Sequence, residues 1–270
     1  MTSGRRALLS VAAAAGVACA PPVATAPAPT PVSVRRVIPG AAPTSPAATA
    51  LLASSRQLVL VTTPAWDSTS GVLARYERAA SGDAWRRVGV EVPVVVGRTG
   101  LAWDDAFAAT PGAPRKHEGD GRSPAGIFPM DTVFGFAALA DAGWVREPYL
   151  PLTAGTECVD DVASAYYNTV VDRGAVPRVD WTSAERMRAI DQYRIGVIVG
   201  YNAAPPRRGR GSCIFLHVWA GPGSTTAGCT AMPERDLRDL VLWMDRANRP
   251  ILVQLPAAER ARLRGSLPLP

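Results

Sequence analysis

The chain has 270 residues, of which 47% are hydrophobic and 19% are charged, and its formal net charge is +6. This composition supports one sizeable hydrophobic core and is thin for two, so we expect a single main domain. The positive charge comes almost entirely from arginine. It favours an anionic polymer or lipid headgroups as a partner. The sequence has no basic patch interleaved with aromatic residues, which argues against nucleic acid.

The first fifty residues have the composition of an export signal followed by a tether. Two arginines precede a short apolar run, and small residues around Ala20 and Ala26 offer cleavage sites, so residues 1–26 are predicted to be a signal peptide. Cys19 leaves lipid anchoring, and with it proximity to a membrane, as an alternative. Residues 27–50 are rich in Pro and Ala and predict a flexible tether. We therefore expect an exported protein of the periplasm or cell envelope.

Short segments rich in β-branched residues recur after the tether, and they predict a mainly β domain over residues 51–257. The run Thr182-Ser183-Ala184-Glu185 has the pattern of a capping box and predicts a helix, and Pro233 is expected to begin a second one. The arginine-rich residues 258–270 are expected to form a loose tail. The predicted strands cover residues 57–62, 71–78, 85–88, 92–97, 197–201 and 251–255.

The most highly charged turn of the chain precedes Ser123-Pro124-Ala125-Gly126. Within it, Lys116 and Arg122 are candidates for holding a substrate carboxylate, whereas His117 is interpreted as part of a solvated hairpin. Farther along, Tyr167 and Asn168 belong to a polar and aromatic segment. Contact with a substrate and packing in the core are both open interpretations for these two residues.

A β-rich run presents His217, and a loop of small residues then leads to Gly228 and Cys229. A thiol is a good nucleophile only as the thiolate, and a neighbouring imidazole commonly generates that form. The glycine allows close approach of a substrate carbonyl, so the N–H groups of Gly228 and Cys229 are candidates for an oxyanion hole. The helix expected after Pro233 should further lower the pKa of the thiol. We predict Cys229 as the nucleophile and His217 as its base.

A metal site is an alternative use of the same residues. The combination of His117, Asp120, His217 and Cys229 contains plausible zinc ligands, but their spacing does not match a zinc motif. We expect neither a metal nor a cofactor.

His217 followed by Thr226, Gly228 and Cys229 resembles the catalytic motif of the L,D-transpeptidase (YkuD-type) family. The separation of 12 residues between His217 and Cys229 is shorter than in the commonest members, and Ala227 replaces their second histidine. This pattern is similar to a divergent branch that includes murein-lipoprotein hydrolases. The resemblance implies a β-sandwich or barrel with peripheral helices, peptidoglycan stem peptides as substrate, and Thr226 among the residues that contact it.

The resemblance also implies a mechanism. Cys229 attacks the carbonyl at the L-centre of meso-diaminopimelate or an equivalent residue, and His217 takes the thiol proton and returns it to the leaving amine. Transfer of the thioester to an amine gives a crosslink, and transfer to water gives hydrolysis. The alternatives are therefore a hydrolase on the same scaffold, such as an L,D-carboxypeptidase or an amidase that releases wall-anchored lipoprotein, and a non-catalytic wall-binding protein.

The cysteines predict one disulfide. Of the four, Cys229 must stay reduced in order to react, and Cys19 is lost with the signal or lipidated. An oxidising compartment then favours a bond between Cys158 and Cys213, the alternative being two buried thiols.

Overall fold

The computed structural model describes Met1 and residues 45–105, 107, 111–203 and 205–270. The predicted signal peptide after Met1, the possible anchor Cys19 and the tether up to residue 44 lie outside the described residues. The described strands are β1 (Gln57–Thr63), β2 (Ser70–Glu77), β3 (Arg86–Val95), β4 (Leu101–Trp103), β5 (Ser123–Gly135), β6 (Tyr149–Pro151), β7 (Thr156–Val159), β8 (Thr169–Asp172), β9 (Ala184–Arg186), β10 (Ile195–Val199), β11 (Phe215–Val218), β12 (Thr230–Met232) and β13 (Ile251–Pro256). The described α-helices are α1 (Ser45–Ser54), α2 (Glu234–Trp243) and α3 (Ala257–Leu263).

Eight strands close into a barrel-like sheet in the order β10-β11-β12-β3-β2-β1-β13-β5, because β5 also pairs with β10. Strands β4 and β6 extend this sheet by pairing with β5. Closure leaves these eight strands without a free edge around the ring. The mainly β fold with peripheral helices that was predicted from the resemblance is confirmed.

The interior of the barrel is apolar, and three of its strands are covered on both faces, whereas β2 and β3 expose many of their residues. Strands β1, β5 and β13 are buried along almost their whole length. Helix α2 covers part of the barrel through Leu237, Leu240 and Val241, which recur at helical spacing and are all buried. Each fully buried side chain of this size contributes about 1.5–3 kcal/mol relative to exposure, so this face of α2 is enough to dock a ten-residue helix.

A second sheet of three strands, in the order β8-β7-β9, lies beside the barrel and carries one half of a disulfide. Cys158 of β7 is bonded to Cys213, which lies just before β11. The bond therefore connects the small sheet to the segment that enters the barrel strand bearing His217.

The strand predictions agree with the structure to within one or two residues for β1, β2, β10 and β13. One difference is that the two strands predicted over residues 85–88 and 92–97 form the single long strand β3. The pairing of β2 with β3 is irregular between Leu73 and Arg75, but it continues on both sides of this irregularity. The two predicted strands are therefore one.

The helix predicted from the capping box at Thr182 is wrong. This segment contains the short strand β9 followed by two single-turn 3-10 helices, Met187–Ala189 and Asp191–Tyr193. The hydroxyls of Thr182 and Ser183 donate instead to the carboxylates of Asp161 and Asp160. Because the capping side chains have tertiary partners, they do not stabilise a helix start.

Both ends of the described domain are more ordered than the sequence led us to expect. Residues 45–54, which include the end of the predicted tether, form α1, and its Leu52 is fully buried. The tail that was expected to be loose begins with α3 and continues to Leu269, which is also buried. The indole N–H of Trp85 donates to Pro268 O at 2.8 Å, so the tail packs against the barrel.

We predict that replacing both Cys158 and Cys213 by serine lowers the free energy of unfolding by about 4 kcal/mol, because the disulfide constrains the unfolded chain over a separation of 55 residues. Urea unfolding with and without reductant measures this difference. Wild-type protein in reductant is the matched control and should lose a similar amount. Non-reducing peptide mapping that finds free thiols at both positions in exported protein would contradict the prediction.

Candidate active site

The parallel pairing of β11 with β12 places the candidate base and nucleophile side by side. His217 lies opposite Ala231, and Leu216 lies opposite Thr230, the residue that follows Cys229. The connection between the two strands is held by the barrel, because Thr226 pairs with Gly97 in an isolated bridge. The loop therefore returns to the strand from which it left.

His217 is buried, and its imidazole is oriented by the backbone. Nδ1 lies 2.8 Å from the carbonyl oxygen of Val218, which accepts a hydrogen bond when Nδ1 carries the proton and leaves Nε2 as the basic atom. Burial lowers the pKa of His217 to about 4, so the ring is neutral at physiological pH. Among the described residues, no hydrogen bond joins this ring to the Cys229 thiol.

Cys229 is a buried, unpaired thiol with several polar neighbours. The N–H of Phe215 donates to Sγ at 3.3 Å, and Sγ can in turn donate to the carbonyl of Cys213, also at 3.3 Å. Burial raises the pKa of this thiol, and the carboxylate of Glu185 raises it further. The expected lowering by a helix N-terminus is wrong, because β12 separates Cys229 from the first residue of α2 and burial dominates.

Two residues that the sequence analysis did not assign to the site lie against the thiol. The hydroxyl of Tyr193 donates to Glu185 Oε2 at 2.5 Å, and both residues line a cavity together with Cys229. The ring of Tyr193 also meets the imidazole of His217 edge-on, with 5.2 Å between ring centroids. In the sequence, Tyr193 and Glu185 were interpreted as parts of an amphipathic helix, so only the fold identifies them.

The turn before Cys229 is held by its own side chains. Thr226 Oγ1 donates to Cys229 O at 2.6 Å and accepts from Gly228 N at 3.2 Å, so this predicted substrate contact also builds the turn. The Gly228 N–H is therefore engaged, whereas the Cys229 N–H donates to no described residue. A Cβ at Gly228 would lie 3.1 Å from Arg122 O, a tight contact that a larger residue could make only if the neighbouring backbone shifted. Of the two N–H groups predicted to form an oxyanion hole, the Cys229 N–H is therefore the one without a partner among the described residues.

Two cavities, each of ≈ 200 Å³, meet at the thiol. Cys229, Ala227 and Glu185 line both of them. The charged cavity is lined additionally by Arg98, Lys116, Glu118, Gly119, Asp160, Ser212, Cys213, Ile214 and Gly228. The imidazole cavity is lined additionally by Ile190, Gln192, Tyr193, His217, Trp219, Ala220, Ser224, Thr225, Thr226 and Ala231. A group bound in either cavity therefore lies against Cys229.

The two cations predicted to hold a substrate carboxylate are used differently. Lys116 lines the charged cavity, but it is buried and its Nζ lies 2.7 Å from Asp120 Oδ1. Arg122 donates to the carbonyls of Trp66 and Leu101 and lines neither cavity. These two backbone carbonyls hold Arg122 Nη1, so substrate binding by Arg122 remains a prediction.

Tyr167 and Asn168 support the site from behind, and neither lines a cavity. Tyr167 donates to Glu118 Oε2 at 2.5 Å, and that carboxylate also accepts from Ser212. Asn168 Oδ1 accepts from the N–H of Cys213 at 2.9 Å. The sequence left contact with a substrate and packing in the core as open interpretations, and these contacts agree with packing.

The zinc combination considered from the sequence is not assembled. In the part of the chain that the structure describes, no three His, Cys, Asp or Glu side chains are grouped so that they could hold a metal ion. His117 is exposed in its turn, and Asp120 is paired with Lys116. No helix among the described residues is long and apolar enough to span a bilayer.

A family model described as the L,D-transpeptidase catalytic domain, YkuD, matches residues 74–253. Comparison with curated proteins and with solved structures found no match. The matched segment covers well over half of the chain and includes both His217 and Cys229. The chain therefore belongs to the YkuD family of L,D-transpeptidase catalytic domains.

Proposed function

We propose that this protein is a cysteine-dependent L,D-transpeptidase that acts on peptidoglycan stem peptides through a thioester on Cys229. The observation that carries the proposal is the position of the thiol, at the junction of two cavities and beside an oriented, neutral imidazole. Family membership supports it, since the L,D-transpeptidases of this family are acyltransferases that use such stem peptides.

In the first half-reaction, Cys229 Sγ bonds to the carbonyl carbon of the donor peptide, and the carbonyl oxygen becomes an oxyanion beside the Cys229 N–H. Collapse of this intermediate breaks the C–N bond and releases an amine together with a proton. In the second half-reaction, an incoming amine attacks the thioester and loses a proton, and the thiol is restored. His217 Nε2 is suited to accept that proton because the ring is neutral.

The presence of two cavities at one sulfur atom favours transfer over hydrolysis. A donor strand and an acceptor strand each need access to the thioester, and two openings provide this without displacement of the acyl chain. A hydrolase on the same scaffold, such as an L,D-carboxypeptidase or a lipoprotein-releasing amidase, needs room only for water on the second side. Product analysis with added acceptor separates these outcomes, and a wall-binding protein without catalysis would form no product.

We also propose that the protein works outside the cytoplasm, in the periplasm or cell envelope. The support is the signal-like composition of residues 1–26 and the disulfide between Cys158 and Cys213, since such bonds persist mainly in oxidising compartments. Peptidoglycan, the proposed substrate, lies in the same compartment. Fractionation of cells that produce the full chain tests this location.

We predict that Cys229→Ala abolishes formation of both thioester and crosslinked product, because no other free thiol is available among the described residues. Incubation with purified muropeptides, followed by intact-protein mass spectrometry, measures both. Cys229→Ser, which keeps a weaker nucleophile of similar size, is the matched variant. Full turnover by a folded Cys229→Ala protein would overturn the proposed function.

We predict that His217→Ala lowers turnover by at least about 100-fold, the usual scale for loss of a general base. The matched control is His117→Ala, because the only other histidine of the chain is exposed and lies outside both cavities. Steady-state crosslinking rates compare the two variants. A larger loss in His117→Ala would show that His117, and not His217, is the base.

A further inference from the structure

The charged cavity beside Cys229 is lined by two cations, Arg98 and Lys116, which differ in their partners. Lys116 is buried, and its Nζ donates to Asp120 Oδ1 at 2.7 Å and to the carbonyl of His117 at 2.9 Å. Arg98 is exposed, and its guanidinium makes no hydrogen bond or ion pair to any residue that the structure describes. Of these two cations, Arg98 is therefore the one that is available to a ligand.

Arg98 is nevertheless held in a defined position relative to the nucleophile. Its N–H donates to Thr226 O at 2.9 Å, and Thr226 Oγ1 donates to Cys229 O at 2.6 Å. The side chain lies over Gly121, since a Cβ at that glycine would be 2.9 Å from Arg98 Cζ and 3.0 Å from Nε. The guanidinium is thus placed by packing rather than by hydrogen bonds, which leaves its N–H donors for a ligand.

Three carboxylates line the same cavity, and none of them forms a salt bridge with a described residue: Glu118, Asp160 and Glu185. In each of them, one oxygen accepts tyrosine or serine hydroxyls, and the other oxygen has no described hydrogen bond. Burial, together with Asp160 and Glu118, raises the pKa of Glu185 to about 7, so these carboxylates repel one another. A bound cation would relieve this repulsion.

One free guanidinium and three carboxylates in a single cavity match a ligand that carries both charges. A guanidinium binds a carboxylate through paired N–H donors. An ammonium has three N–H donors, for which carboxylate oxygens are strong acceptors. An α-amino acid has both groups on one carbon atom, and a cavity of ≈ 200 Å³ has room for one.

We propose that the charged cavity binds the incoming amine through an ammonium and the carboxylate on the neighbouring carbon, and that Arg98 selects for this carboxylate. The proposal rests on the proposed function, since it names the chemistry of the acyl acceptor at the same thiol. Arg98 determines specificity and transfers no proton.

The imidazole cavity suits the acyl part of the donor. Apart from Glu185 and the neutral His217, its lining residues carry no charge. With the acyl chain in that cavity, the leaving nitrogen and the incoming nitrogen both lie in the charged cavity, because each is bonded in turn to the same carbonyl carbon. Arg98 therefore also meets the carboxylate beside the leaving nitrogen when the donor ends in one.

The transfer step is balanced in atoms and charge. The ammonium loses one proton to the imidazole of His217, and the neutral amine forms the N–C bond. The C–S bond breaks, and a second proton from the nitrogen restores the thiol of Cys229. The carboxylate beside Arg98 takes no part in these bond changes, so loss of Arg98 should weaken binding without slowing the chemical step.

The test compares glycine with glycinamide as acceptors, because only glycine has the carboxylate. The Cys229 thioester is formed with purified muropeptides, and its conversion at increasing acceptor concentration is followed by intact-protein mass spectrometry. Arg98→Gln should raise the half-saturating concentration of glycine roughly 10- to 100-fold, with an unchanged maximal rate. It should not raise that of glycinamide. Each amine is compared with itself between variants, so the different basicities of the two amines cancel.

Three further variants separate recognition from a general loss of charge. Arg98→Lys should recover part of the loss, since lysine keeps the charge but lacks the planar fork. Arg87→Gln removes the same charge from β3, where Arg87 pairs with Glu91 and lines neither cavity, and it should leave both acceptors unchanged. Asp160→Asn should weaken glycine and glycinamide equally, because both carry the ammonium.

Several outcomes would overturn the proposal. An equal loss for the two acceptors in Arg98→Gln, or no loss for glycine, would remove the role of Arg98 in selecting the carboxylate. A loss confined to formation of the thioester would place Arg98 at the leaving residue alone. Loss of a single acceptor in Asp160→Asn would remove the ammonium site. Near-UV circular dichroism identifies a misfolded variant, and Arg98→Lys then decides in place of Arg98→Gln.

A second measurement needs no thioester. Bound glycine should slow alkylation of Cys229 by iodoacetamide, since the charged cavity lies against this residue. Arg98→Gln should raise the glycine concentration that protects by the same 10- to 100-fold, roughly, and should not raise that of glycinamide. Absence of protection by glycine in the wild type would contradict the proposal. Failure of the wild type to form a thioester with muropeptides would instead overturn the proposed function, and the protection measurement would still decide whether the cavity binds an amino acid.

Discussion

The arrangement of the site depends on the parallel pairing of β11 with β12. Parallel neighbours need a crossover connection rather than a tight hairpin, and here residues 219–229 provide it. The crossover is pinned to the barrel wall, since Thr226 N donates to Val96 O and Thr226 O accepts from Arg98 N. The separation between His217 and Cys229 is therefore short because the crossover that joins their strands is compact.

The burial of the Cys229 thiol dominates the electrostatics of the site. Burial and the Glu185 carboxylate oppose thiolate formation, whereas the Phe215 N–H, the Tyr193 hydroxyl and the Lys116 ammonium favour it. The opposing contributions are larger, so the resting form is the neutral thiol. A thiol in this form is unreactive towards electrophiles, and it gains reactivity only when it loses its proton.

Much of the fold could be predicted from the sequence because its signals are local. Runs of β-branched residues identified β1, β2, β10 and β13, and the apolar spacing after Pro233 identified α2. The Thr-x-Gly-Cys turn likewise identified the nucleophile candidate, since its contacts between Thr226 and Cys229 span only three residues. In such segments the structure refines the bounds of the predicted elements and leaves their assignment as helix, strand or turn unchanged.

The errors arose where distant partners outweigh local preference. Thr182 and Ser183 have the composition of a helix start, but their hydroxyls donate to Asp161 and Asp160, which follow the neighbouring strand β7. Glu185 then extends towards Tyr193 instead of back to a cap. The hydrogen bond between Tyr193 and Glu185 was hidden for the same reason, because a carboxylate and a tyrosine eight residues apart have no recognisable pattern without the 3-10 turns between them.

The disulfide has a local role that its position in the sequence does not indicate. Cys213 has a φ of 55°, a left-handed conformation that costs a non-glycine residue roughly 1–2 kcal/mol. Its bond to Cys158 and the hydrogen bond from its N–H to Asn168 together hold this conformation. The consequence appears at the next atoms of the chain, because the carbonyl of Cys213 faces the Cys229 sulfur at 3.3 Å. The disulfide thus positions the backbone beside the Cys229 thiol, in addition to constraining the unfolded chain.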